Sequence, residues 1–169
     1  MILGRSGLTK QTAIAVASLA ALSFVSVPHA AAATGSVLGF SEDPTTFGSL
    51  TSCQNVFKSS VTGDNGDGSV VARVSDVEFH FCRSGTSVAA NALPWTLNLT
   101  ENSSYTIKGV DVRITTPQGA CRYTGQVQGL MQFPGVYSLS GQLARQSSGC
   151  GGPEQIAASN LTEVITISR

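Results

Sequence analysis

The chain has 169 residues, of which only 12% are charged, and its ten basic and ten acidic side chains balance. This balance gives no support for nucleic acid or an anionic membrane surface as a partner, because both attract clustered positive charge. The length suits one domain preceded by a short targeting segment.

The first 33 residues have the composition of a secretory signal peptide. Arg5 and Lys10 supply a basic start, and residues 13–27 form an apolar run without charges. Residues 30–33 are all alanine, and such small side chains fit a cleavage site. The apolar run has about 15 residues, fewer than the roughly 20 that cross a bilayer as a helix.

We therefore predict export by the general secretory route, with cleavage after Ala32 or Ala33. The mature domain would span residues 34–169, be secreted and contain no transmembrane segment. Removing the first 33 residues leaves eight basic side chains against ten acidic ones.

The mature chain alternates short strand-like segments with clusters of turn residues, and no segment has a convincing helical pattern. The segments predicted as strands are, in chain order, 36–40, 47–51, 54–62, 69–81, 95–100, 105–115, 121–129, 136–143 and 160–168.

The fourth of these segments changes phase along its length. Val77, Phe79 and Phe81 alternate with polar residues, which is the pattern of a strand with one buried face. Val74 belongs to an earlier apolar set that is out of step with them. The sequence therefore predicts a β-bulge near Ser75.

Turn residues divide the strands into hairpins. Residues 63–68 are all Gly, Asp or Asn, which tolerate positive φ and favour a hairpin loop. Pro117 occupies the second position of a predicted turn at 116–119, and residues 133–135 predict another. Gly109 marks a second phase change. The predicted fold is all-β, an antiparallel β-sandwich or small barrel of about eight to nine strands.

All four cysteines, Cys53, Cys82, Cys121 and Cys150, lie in the exported part. An even number in an oxidising compartment implies two disulfides with three possible connectivities. Folding the first hairpin about its glycine-rich loop brings Cys53 near Cys82. Folding the later one at 133–134 brings Cys121 near Cys150. The hairpin geometry thus favours these two local pairs.

One strand carries the best candidate metal ligands. Asp76, Glu78, His80 and Cys82 alternate and would share a face, as chelating side chains on a strand do. Such a site would be one-sided, and Cys82 is expected in a disulfide. We interpret this face as a solvated polar surface and predict neither a metal nor a cofactor.

Motifs for other chemistry are weak. The acidic loop at 63–68 lacks the ligand spacing of a calcium loop. His80 is the only imidazole left after cleavage, and the chain has no G-x-S-x-G nucleophile elbow. Paired carboxylates for sugar hydrolysis stay open, because they need not be adjacent in sequence. We predict a protein without catalytic residues.

Short motifs from Cys53 to the C-terminus resemble a family of small secreted actinobacterial proteins of unknown function. They are also similar to the secreted pseudomonad activators of alkane oxidation. The motifs are Phe79-His80-Phe81-Cys82, Leu93-Pro94-Trp95, Ile107-Lys108-Gly109-Val110, Cys121-Arg122-Tyr123-Thr124-Gly125 and Gly149-Cys150-Gly151.

The resemblance implies a non-enzymatic amphiphile that helps cells contact hydrocarbon, so the expected partner is a hydrophobic substrate or a cell-surface component. The alternative is a carbohydrate- or wall-binding module, suggested by strand faces rich in Ser, Thr and Asn; a small secreted hydrolase comes third. A contiguous exposed apolar patch would favour the amphiphile. An exposed row of aromatic side chains would favour sugar binding.

Overall fold

The computed structural model describes residues 35–64, 66–101, 104–133, 135–148 and 150–168, so the predicted signal peptide lies outside the described residues. The strands are β1 (Ser36–Ser41), β2 (Thr45–Phe47), β3 (Thr51–Asp64), β4 (Val70–His80), β5 (Ser87–Ala90), β6 (Trp95–Leu99), β7 (Ser104–Thr116), β8 (Gly119–Phe133), β9 (Val136–Arg145) and β10 (Gln155–Ser168).

Eight of these strands form a closed antiparallel barrel. The path runs β3–β4–β6–β7–β8–β9–β10, and β1 closes the ring by pairing with both β10 and β3. β2 also pairs with β10 and β3, while β5 pairs with one end of β7. The sequence predicted either a sandwich or a small barrel, and the pairing of β1 with both β10 and β3 shows that the fold is a barrel.

β1 and β2 are two pieces of one interrupted strand. β1 lies against 163–168 of β10, and β2 lies against Ala158 and Ser159 further along. The chain leaves the ladder between the two pieces, where β10 has a bulge between Asn160 and Glu163. The gap between β1 and β2 and the bulge in β10 therefore lie side by side, and regular strand pairing is interrupted there on the side where the barrel closes.

The core fills the barrel with alternate side chains from each strand. Its largest fully buried members include Tyr105, Tyr123, Leu97, Ile114 and Leu143. Gly129 leaves room for one of these rings, because a Cβ there would lie 2.0 Å from Cε1 of Tyr105. The inward residues are apolar along most of the barrel wall.

Both predicted phase changes are confirmed as irregularities in strand pairing. Lys58 pairs with Asp76 and Ser59 with Val74, so Ser75 is the extra residue of a bulge. The β7–β8 register shifts around Gly109, which has φ 74°. A positive φ costs glycine nothing, which explains why glycine stands at this bulge.

Several local predictions were wrong. Residues 48–50 form a turn after β2, where the sequence predicted a strand over 47–51. β5 was not predicted, and β10 begins five residues before the predicted strand. Phe81 was placed on the inner face, yet β4 ends at His80 and Phe81 has φ 50° with 86% of its surface exposed.

Candidate functional site

Four apolar side chains form a row across the outer face of the barrel. Phe40 of β1 pairs with Val56 of β3 on one side and with Val164 of β10 on the other. Val164 in turn pairs with Val136 of β9. Directly paired residues point to the same face of an antiparallel sheet, so these four side chains are neighbours. Phe40 is 36% exposed and the three valines are half-buried.

Three exposed leucines extend this row. Leu38 lies on the same face of β1, one outward position from Phe40. Leu130 of β8 pairs with Ser138, the outward residue next to Val136 on β9. Leu161 lies in the β10 bulge opposite Ser138. Leu130 and Leu161 are 66% and 73% exposed. We call the row and these leucines the apolar patch: Leu38, Phe40, Val56, Leu130, Val136, Leu161 and Val164.

Next to the leucines of the apolar patch, the middle of β8, β9 and the neighbouring part of β10 carry an uncharged polar groove. Its volume is about 420 Å³. Gln126 pairs with Gln142, and Gln128 pairs with Ser140. Ala157 and Ser159 of β10 complete the groove on the third strand. Amide groups offer both donors and acceptors, so this surface suits water or neutral hydroxyl groups.

On β8, β9 and β10, some outward residues therefore belong to the apolar patch and others to the amide groove. On β8 the two regions adjoin, because Leu130 and Gln128 are consecutive outward residues. On β9 they extend further apart, since Val136 and Gln142 are six positions apart, about 20 Å at the usual strand rise. The ion pair of Lys58 Nζ with Asp76 Oδ2, 3.3 Å apart, borders the patch on its β3 side next to Leu38. The outer surface is amphiphilic on the scale of the whole barrel.

The barrel interior contains a small apolar cavity, of about 50 Å³. Phe47, Phe57, Phe79 and Trp95 are among its lining residues. For comparison, an apolar cavity of about 150 Å³ binds one benzene molecule. The cavity is thus too small for a hydrocarbon chain in this conformation.

A cluster of polar side chains lies buried where the closing side of the barrel is broken. Both carboxylate oxygens of Glu163 accept hydrogen bonds, from Asn55 Nδ2 at 3.1 Å and from Asn160 Nδ2 at 2.5 Å. Thr45 Oγ1 donates to Asn55 Oδ1 and accepts from Asn160 Nδ2. Ser41 Oγ accepts from the Asn55 backbone N–H. The cluster joins β1, β2, β3 and β10 at the break.

Glu163 has no cation beside it among the described residues, and its side chain is fully buried. Burial raises its pKa to about 7, against the lowering effect of the hydrogen bonds from Asn160 and Asn55. Tyr105 is its neighbour in the core, and burial, then the Glu163 charge, raises the pKa of this phenol. The Tyr105 hydroxyl has no hydrogen-bond partner among the described residues.

A family model described as "Alkane oxidation protein activator PraA/PraB-like" matches residues 8–160. The chain belongs to this family. The resemblance inferred from the short motifs is thereby confirmed, and the family description names an activator rather than an enzyme. Neither the curated proteins nor the solved structures contain a match to the chain.

In this family member, the four predicted disulfide cysteines form the two local pairs that the hairpin geometry favours. Cys53 is bonded to Cys82 and Cys121 to Cys150, and each pair spans 29 positions of sequence. The first bridge ties the start of β3 to the end of the β3–β4 hairpin. The second ties β8 to the segment between β9 and β10.

The strand face that carries the candidate metal ligands is divided among other contacts. Asp76 pairs with Lys58, and Glu78 Oε2 lies 2.8 Å from His80 Nε2. Cys82 is bonded to Cys53. Within the described ranges, no group of three or more His, Cys, Asp or Glu side chains is placed to hold a metal.

The acidic loop uses its carboxylates on its own backbone. Asp64 Oδ1 accepts the Gly66 N–H at 2.9 Å, and Asp67 Oδ1 accepts the Ser69 N–H at 2.8 Å. The Ser69 hydroxyl and N–H together lower the pKa of Asp67. These bonds are those of a hairpin turn.

The described part of the chain contains no helix long and apolar enough to span a membrane.

Sequence reasoning missed both the apolar patch and the Glu163 cluster. A signal for the patch is present in β1, where Leu38 and Phe40 alternate with Val37, Gly39 and Ser41. Leu38 and Phe40 face outward, while Val37, Gly39 and Ser41 lie on the inward side of the strand. Glu163 has its partner Asn160 nearby on β10, but Asn55, which also donates to it, and Thr45, which bonds both asparagines, come from distant parts of the chain.

Proposed function

We propose that this chain is an exported, non-catalytic amphiphile that coats the boundary between water and hydrocarbon and so promotes alkane uptake by cells. The observation that carries the proposal is the division of the outer face of β8, β9 and β10 into the apolar patch and the adjoining amide groove. A rigid barrel with one apolar and one polar region adsorbs at an oil–water boundary, because each region then meets its preferred solvent. Membership of a family named for alkane oxidation supports hydrocarbon as the oil.

Contact with hydrocarbon on the outside of the barrel, rather than inside it, follows from volume. The interior cavity of about 50 Å³ cannot enclose an alkane chain. Leu38, Leu130 and Leu161 already stand on the surface, so they can contact an oil phase without opening the fold. The protein would then act by covering area, in proportion to its amount, and not as a carrier of single molecules.

Two features support export and a non-catalytic role. The chain has two disulfides. Disulfides persist in oxidising compartments and are rare where thiols are kept reduced. His80, the imidazole expected in the mature chain, is hydrogen-bonded to Glu78 and exposed. In the described part of the chain no hydrogen bond joins it to a hydroxyl or thiol, the arrangement that nucleophilic catalysis uses.

Pendant-drop tensiometry at a hexadecane–water boundary tests the proposal. The purified protein should lower the interfacial tension, and the double variant Leu38→Ser/Phe40→Ser should lose most of this effect. Both side chains point outward, so the variant should keep its disulfides and its β-sheet circular dichroism. Leu93→Ser is the matched control, since Leu93 is also 36% exposed but lies outside the apolar patch.

Two results would contradict the amphiphile. One is a wild-type protein no more surface-active than an inert β-barrel protein of the same size. The other is equal loss of activity in Leu93→Ser and in the double variant, because the apolar patch would then have no special role.

The amide groove favours carbohydrate binding as a second candidate function. Gln126, Gln128 and Gln142 could donate to and accept from sugar hydroxyls. Against this stands the lack of an aromatic platform: the exposed aromatic side chains among the described residues are Phe40 on β1 and Phe81 just after the end of β4. Glycan-array binding that disappears in Gln126→Ala/Gln142→Ala, with interfacial activity absent, would favour this candidate.

A further inference from the structure

Two arginines lie side by side on the outer face of the barrel, outside the apolar patch and the amide groove. Arg113 of β7 and Arg122 of β8 are a directly paired cross-strand couple. Like charges in such a position normally destabilise a sheet. The pairing therefore needs negative charge nearby to offset the repulsion.

One of the two arginines has that charge within the protein. Arg122 Nε donates to Asp111 Oδ1 at 2.9 Å, and Arg122 Nη2 donates to Asp111 Oδ2 at 2.5 Å. The Asp111 side chain is only 5% exposed, so it holds this guanidinium at a fixed position. The Arg113 side chain has no hydrogen bond or salt bridge to any described residue.

The two guanidinium groups line a groove of about 460 Å³ together with Asn91, Ala120 and Ser147. Ser147 Oγ accepts the Arg122 backbone N–H at 2.9 Å, and its own proton meets only the disulfide sulfur of Cys150 at 3.5 Å. The Asn91 side-chain amide has no partner in the described chain. Ala120 adds only a methyl group to the lining of the groove.

We propose that this groove binds a phosphate-type oxyanion. The donors of Arg113, Arg122, Asn91 and Ser147 border one concave surface, and they outnumber the two oxygens of a carboxylate. A phosphate group presents three oxygens and suits the planar fork of arginine. The anion would offset the charge of Arg113 as Asp111 offsets that of Arg122. Free phosphate and the headgroup of an anionic phospholipid share this chemistry.

The only tryptophan of the chain gives a readout close to the groove. Trp95 Nε1 donates to the Asn91 carbonyl oxygen at 3.1 Å. Titration of the purified protein with sodium phosphate, against sodium chloride at equal ionic strength, should change Trp95 fluorescence or release heat in a saturable way. Arg113→Gln should raise the dissociation constant at least tenfold. Arg73→Gln, which removes another exposed arginine, should change it less than twofold.

Co-sedimentation with vesicles distinguishes the two sources of phosphate. Binding to phosphatidylglycerol but not phosphatidylcholine vesicles, lost in Arg113→Gln, would identify a lipid headgroup. Saturable binding of inorganic phosphate without vesicle binding would identify a free anion. The proposal is overturned if neither probe binds, or if Arg73→Gln weakens binding as much as Arg113→Gln does. Arg113 lies outside the apolar patch, so interfacial tension measured on the same variant keeps this test separate from that of the proposed function.

Discussion

Glu163 shows what one buried side chain imposes on the barrel. Its carboxylate accepts hydrogen bonds from two amides but has no cation among the described residues, and burial raises its pKa from the ordinary 4.5 to about 7. Between these pH values the unfolded chain is ionised while the folded chain still holds the proton. The folded state therefore binds more protons, and the free energy of unfolding falls as pH rises.

We expect this contribution to be fully present below pH 4.5 and lost by the time pH exceeds 7. One pKa unit corresponds to about 1.4 kcal/mol, so the loss is on the order of 3 kcal/mol. Urea unfolding at pH 4.5 and pH 7.5 measures it. Glu163→Gln should reduce the difference in the free energy of unfolding between the two pH values. Glu101→Gln, at an exposed site, should leave that difference unchanged. Equal pH dependence in wild type and Glu163→Gln would contradict the account.

At the scale of single strands, most elements could be predicted, and the errors have physical causes. The bulges at Ser75 and Gly109 were predictable because a phase change in apolar residues is a local signal. β5 was missed because its four residues pair only with β7 and carry little pattern. Phe81 was misplaced because alternation continues in the sequence after the backbone has left the strand.

The disulfides act on pairs of elements. Each bridge closes a loop with a sequence separation of 29 residues, for which the chain-entropy model gives about 3–4 kcal/mol. The double replacement Cys121→Ala/Cys150→Ala should therefore lower the free energy of unfolding by about 2–5 kcal/mol. Reduced and oxidised wild-type protein, compared by urea unfolding, provide the control.

Peptide mapping without reduction tests the topology behind that expectation. Secreted material should yield peptides that join Cys53 to Cys82 and Cys121 to Cys150. A peptide that joins Cys53 to Cys121 or Cys150 would contradict the two hairpins. Four free thiols would contradict both bridges.

At the scale of the whole molecule, barrel closure could not be predicted from local patterns. The sequence determines hairpins such as β3–β4 and β8–β9 through turn residues between adjacent segments. Closure instead pairs Ser36 with Ser168, at opposite ends of the described chain. Alternation of side chains is the same in a sandwich and a barrel, so only this long-range pairing distinguishes them. The apolar patch crosses the closing strands, and it was missed for the same reason.

Removal of β1 tests closure directly. A chain that begins at residue 43 lacks β1 but keeps β2, while a chain that begins at residue 36 keeps both. Without β1, the strand edges at 56–60 and 163–168 lose their partners, and Val37, which is 1% exposed in the barrel, no longer fills the interior. Burial of one such valine contributes about 1.5–3 kcal/mol, and the lost pairing adds to this. The shorter chain should unfold at clearly lower urea concentration and aggregate through its open edges, as size-exclusion chromatography would show. The same unfolding midpoint for both chains would mean that β2 alone closes the barrel and that β1 is only an attached strand.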